Sequence, residues 1–176
     1  MPSYYTYLIS SLPMLHFSVN PTISLEEFLG RCAQLISERD LLLIRQVISK
    51  DAYALDLPKN SILLKWKEFD LALRNELARA RAARKKINAE KFLRGGASFD
   101  INITHIAQAS LRQSTILEAE RYLDLERWEL LDELAMGHYF DLDFLLIYAL
   151  KLVILERWGK ISSSDKAEMA EKVLAH

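Results

Sequence analysis

Apolar residues recur along much of this chain at spacings of three and four, the period that gathers side chains on one face of an α-helix. Leu25, Phe28, Leu29, Cys32, Leu35 and Ile36 keep that period. Ser24 precedes them and Glu27 follows it by three, the spacing of a capping box. The run Ser37-Glu-Arg-Asp restarts a helix that should reach Val47 and Ile48. Earlier, Tyr4, Leu8 and Leu12 suggest a short helix that ends before Pro13. The pattern returns at Ile62 and continues through Leu64, Trp66, Phe69, Leu73, Leu77 and Ala80. Past Leu77 the apolar side thins to alanine, and arginine and lysine take over. A long helical pattern then runs from His105 to Met136, with Leu111, Ile116, Leu117, Leu123, Trp128, Leu131 and Leu134 available for burial.

One stretch departs from amphipathicity. From Leu142 to Leu155 the chain is apolar except for Asp143 and Lys151. A helix apolar almost all round is buried or spans a membrane. Spanning takes roughly 18 or more uninterrupted apolar residues, so this run is expected to be a central core helix. Tyr148, Leu150, Ile154 and Trp158 should be buried in it. Asp141 or Asp143 can cap its start, and Arg157 and Lys160 suit its end. Gly159 should help to stop it, and Ser162 to Ser164 should break the pattern before a short polar helix over residues 165–174.

No stretch alternates as a strand would. The expected fold is all-α, a bundle of six or seven helices. Asp56 to Asn60, with Pro58, reads as a linker, and Gly95-Gly96 is the strongest break in the chain. That break divides it into two helical lobes, residues 1–94 and 99–176, unless the whole forms one compact unit.

Composition narrows the function. The formal net charge is -1 with 27% charged residues, which excludes a general polyelectrolyte but not a local patch. Cys32 is the only cysteine, so it makes no internal disulfide, and its amphipathic setting suits a buried, inert thiol. The N-terminus lacks the basic region of a cleaved signal, and no spanning segment follows, so a cytoplasmic protein is expected. No metal or cofactor is expected either. His16, His105, His138 and His176 are scattered. His138 with Asp141 and Asp143 comes nearest to a ligand set, yet a histidine beside capping carboxylates accounts for it. There is no Walker loop, no GxGxxG, and no serine with an identifiable base. The sequence offers no catalytic constellation.

What it does offer is a charge asymmetry. Arg79, Arg81, Arg84, Lys85 and Lys86 crowd one helical segment, while Glu118, Glu120, Asp124, Glu126, Glu129, Asp132 and Glu133 crowd another. Two solvated faces would explain this, as would two faces that meet inside the fold. The functional reading is that the basic segment docks an acidic protein partner. Nucleic acid fits less well, because the basic run lacks interleaved aromatic residues.

Two stretches, YYTYLISSLPML with SLEEFLGRC and FDLDFLLIYALKLVILERWGKI, carry a family likeness. They resemble an uncharacterised bacterial family encoded beside V-type ATPase subunits. More distantly the chain is similar to the C subunit of V/A-type rotary ATPases, called d in eukaryotes, which seats the central stalk on the membrane ring. In that family a tyrosine-bearing helix is followed by an acidic-arginine pair; here Tyr148 and Glu156-Arg157 stand there. Phe69, Arg74 and Asn75 look like a second copy, so two related helical repeats are expected. The C subunit is longer and has a further repeat, and the middle of this chain has no counterpart in it. The resemblance implies a non-catalytic stalk, adaptor or assembly subunit whose partners are other rotary-ATPase subunits. Any association with the inner face of the membrane would then run through those partners. The alternative is an adaptor for another acidic protein or for RNA, and a third class is an enzyme with an unfamiliar site.

Overall fold

The computed structural model describes residues 4–49, 60–95 and 101–174, with side chains described as far as residue 164. The fold is all-α, with seven α-helices and no strand among the described residues. In chain order they are α1 (Tyr5–Ser11), α2 (Leu25–Leu35), α3 (Glu38–Ile48), α4 (Ser61–Lys85), α5 (Ile101–Ser110), α6 (Ile116–Leu134) and α7 (Leu142–Leu174). A single 3-10 turn, Glu90–Phe92, follows α4. Residues 56–59 of the expected linker, Gly96 and residues 97–100 lie outside the described residues.

Polar side chains set most of the helix starts, because the first amides of a helix have no internal acceptor. Ser24 accepts from the Glu27 amide at 3.1 Å and Ser37 from the Asp40 amide at 3.2 Å. Asn60 accepts from the Leu63 amide at 3.0 Å and Asp141 from the Phe144 amide at 2.9 Å. α2 ends at Ile36, whose amide donates to the Cys32 carbonyl, and Ser37 opens α3, as its spacing predicts. Thr115 accepts from the Glu118 amide at 3.1 Å and starts α6, so the long pattern of residues 105–136 is two helices.

The chain forms two units. Met1–Leu57 and Ala135–His176 make the first, and Pro58–Leu134 the second. These are not the sequential lobes 1–94 and 99–176. The difference follows from α7: its apolar surface is covered by α2 and α3, which lie far back in the sequence. In the first unit Leu145 to Leu150 are six consecutive buried residues, and six successive helix positions occupy every face. Phe28 of α2 packs against Tyr148 with ring centroids 5.2 Å apart. Ile154 is buried as expected, whereas Trp158 is only half-buried. In the second unit Ala72, Leu73 and Leu77 of α4 pack with Ile103 and Ala107 of α5 and Leu123 of α6.

α7 does not stop at Gly159 or break at Ser162 to Ser164; it runs on to Leu174. Ser163 and Ser164 donate their hydroxyls to the Lys160 carbonyl, at 2.9 and 3.0 Å. Both hydroxyls thus find an acceptor within the helix itself.

Candidate docking surface at the end of α4

α4 has 25 residues, about 37 Å of helix. Its surroundings change along its length, with burial continuing to Leu77 and recurring at Ala82. In the first half Asp70 is 2% exposed and belongs to an ionic network. Arg74 Nε lies 2.7 Å from one of its oxygens, and Arg127 Nε of α6 lies 3.0 Å from the other. Arg127 Nη1 also reaches Asp124 at 3.0 Å, and Asp124 is 1% exposed. Buried carboxylates require this kind of pairing. So the basic and acidic helices do meet inside the fold, but with the roles exchanged: the basic helix supplies the acid and the acidic helix the base.

The second half ends about 20 Å beyond Asp70. There Arg81, Arg84, Lys85 and Lys86 are exposed. None of them forms an ion pair among the described residues, and none reaches Glu126 or Glu129. Arg79 differs from the other four. It is half-buried and pairs with Glu76, which also accepts from Thr104 at 3.2 Å. Of the five cations expected to face a partner, four are thus exposed, and the fifth pairs within the second unit.

The helix closes in an unusual way. Lys86 has φ +54°, a left-handed conformation, and the amides of Lys86 and Ile87 donate to the carbonyls of Ala83 and Ala82 at 3.2 and 3.1 Å. Glycine normally holds this position. A lysine there costs about 1 kcal/mol. The chain then runs back along α4. The Asn75 amide clamps it by donating to the Arg94 carbonyl at 2.9 Å and accepting from the Arg94 amide at 3.0 Å. Gly95, with φ +61°, follows this clamp and lies against Leu71.

Two of the residues that carry the family likeness, Tyr148 and Glu156, make contacts within the first unit. Tyr148 donates its hydroxyl to the Pro13 carbonyl at 2.8 Å, and burial pushes the phenol up to about 12. Glu156 accepts from the Leu25 amide at 2.7 Å, so α7 caps α2 across the first unit. An open cleft of about 380 Å³ lies beside that contact, lined by Asn20, Ser24, Glu156, Gly159 and Lys160 among others. Cys32 is fully buried, and burial pushes its thiol up to about 12, so it carries almost no thiolate at neutral pH.

His138, Asp141 and Asp143 come together before α7, with potential ligand atoms all within 4.8 Å of one another. His138 Nδ1 lies 2.7 Å from one Asp141 oxygen and 3.5 Å from Asp143. The other Asp141 oxygen is the helix cap, so both are engaged. The helix dipole at this end favours anions and opposes a cation.

Residues 101–174 match a family described as a protein of unknown function (DUF2764). The match takes in α5, α6 and α7, less than half of the chain, and leaves out the basic end of α4. No curated protein and no solved structure matches the chain.

Proposed function

We propose that this chain is a non-catalytic docking protein, a subunit or assembly factor of a V-type rotary ATPase, and that the basic end of α4 is its docking element. The observation that carries this reading is the contrast along one helix. α4 is engaged in the core of its unit as far as Leu77, while four cations at its end have no ionic partner among the described residues. The left-handed Lys86 adds support, because a charge is kept at a position where glycine would be free of strain. Clustered exposed cations steer encounter with an anionic surface and fix its orientation. The assembly itself is inferred from the likeness to the C subunit.

Purification of the full chain from detergent-solubilised native membranes tests the reading. Rotary-ATPase stalk subunits should co-purify. Their absence from a chain recovered intact would overturn the assignment to that assembly, and salt-sensitive retention of RNA in their place would assign the basic end to nucleic acid.

A further inference from the structure

The surface beyond the last turn of α4 is not only cationic. Ile87 is 48% exposed and Phe92 is 55% exposed. Cations flank both: Arg84, Lys85 and Lys86 precede Ile87, and Lys91 adjoins Phe92. Between residues 79 and 94 the only carboxylate is Glu90. The helix cap and the Asn75 clamp on Arg94 hold this short segment against α4, with its apolar and cationic side chains exposed within a few residues of one another.

We propose that this exposed segment seats directly on an anionic lipid surface. The inference rests on the docking reading and names its partner. A protein partner would need carboxylates set in register around a pocket for Phe92. A lipid interface needs no register. It takes apolar side chains into the boundary between headgroups and acyl chains, while lysine and arginine stay with the phosphates. Long cationic side chains around two exposed apolar ones match that layered chemistry. No helix among the described residues is long and apolar enough to cross a membrane, so contact at the surface is the mode open to this segment.

Flotation of the full chain with phosphatidylcholine vesicles, with and without phosphatidylglycerol, tests this. The chain should float with the anionic vesicles only, and less at high salt. Neutralising Lys85→Gln and Lys86→Gln should weaken partition roughly fivefold per charge. Phe92→Ala should weaken it roughly tenfold at either salt concentration. Unchanged melting of each variant shows that the fold is intact. A folded wild-type chain that ignores anionic vesicles overturns the lipid inference, and so does partition that Phe92→Ala leaves unchanged. The docking reading is judged separately, by binding to native membranes that carry the rotary ATPase. If charge reversal at α4 abolishes that binding while pure vesicles are ignored, the partner is protein and docking stands. If charge reversal leaves native binding intact, both fail.

Discussion

Replacing Arg127 with methionine should destabilise the second unit severely. Arg127 of α6 reaches Asp70 and holds Asp124 at the same time, both at 3.0 Å. The two carboxylates are almost completely buried. At an effective dielectric of about 20, one such pair contributes roughly 4 kcal/mol of attraction, set against the desolvation of both groups. Removing the cation leaves that desolvation in place. Asp70 keeps Arg74 at 2.7 Å, though that side chain is 49% exposed and screened by solvent. Breaking a buried pair by deleting one partner costs about 3–5 kcal/mol, a large share of the roughly 5–15 kcal/mol by which domains are stable. Urea denaturation followed by circular dichroism reads the loss, provided the slope with denaturant is unchanged. Adding Asp124→Asn to the variant should restore part of it, because a neutral amide is less costly to bury. A loss below about 1 kcal/mol with an unchanged slope would mean the network is solvated and surface-like, and the contrast between it and the exposed cations at the end of α4 would collapse.

Three further outcomes follow from the packing. Leu150→Asp places an unpaired charge on α7 where the side chain is buried, costs several kcal/mol and should yield insoluble chain; a soluble, cooperatively unfolding product would contradict the core role of α7. Tyr148 is raised from 10.0 to about 12 by burial, so the folded chain keeps a proton that the unfolded chain releases. Its contribution is complete below pH 10 and disappears as pH rises toward 12; Tyr148→Phe should reduce that alkaline loss of stability, and Tyr122, raised to about 12 chiefly by its hydrogen bond to Glu126, should retain a share of it. Lys86→Gly relieves the left-handed conformation and should stabilise the fold by about 1 kcal/mol while weakening docking, whereas destabilisation would show that the lysine side chain supports the cap.

The helix starts at Ser24 and Ser37 and the burial of α7 were legible in the sequence because they depend on neighbours three or four residues away. The start of α6 was also legible, since Thr115 and Glu118 have capping-box spacing, but the surrounding apolar period masks the break. Gly159 and the three serines read as a stop because their usual preference is for helix ends. The Lys160 carbonyl that accepts two of these hydroxyls is in reach only once the helix exists. The division into units depends on α7 meeting α2 and α3, which no local pattern encodes. The Asp70–Arg127 contact joins residues 57 apart, and charged residues on amphipathic helices ordinarily face water, so spacing alone points the wrong way. At the end of α4 the cations stood out as a run. Pairing of Arg79 with Glu76 and exposure of Ile87 and Phe92 needed the fold, because both depend on how α4 ends and where the chain turns.

Whether the end of α4 exists for docking is decided by reversing Arg81, Arg84 and Lys85 to glutamate together. Two quantities are measured on the same preparation: the melting temperature, and retention of the full chain on native membranes that carry the rotary ATPase, at low and high salt. These side chains are exposed and unpaired among the described residues, so the fold should lose less than about 1 kcal/mol. Retention at low salt should be lost, to the level that high salt produces with the wild-type chain. A variant that melts much lower yet is retained normally once folded would contradict the docking role and leave the basic helix a purely structural element.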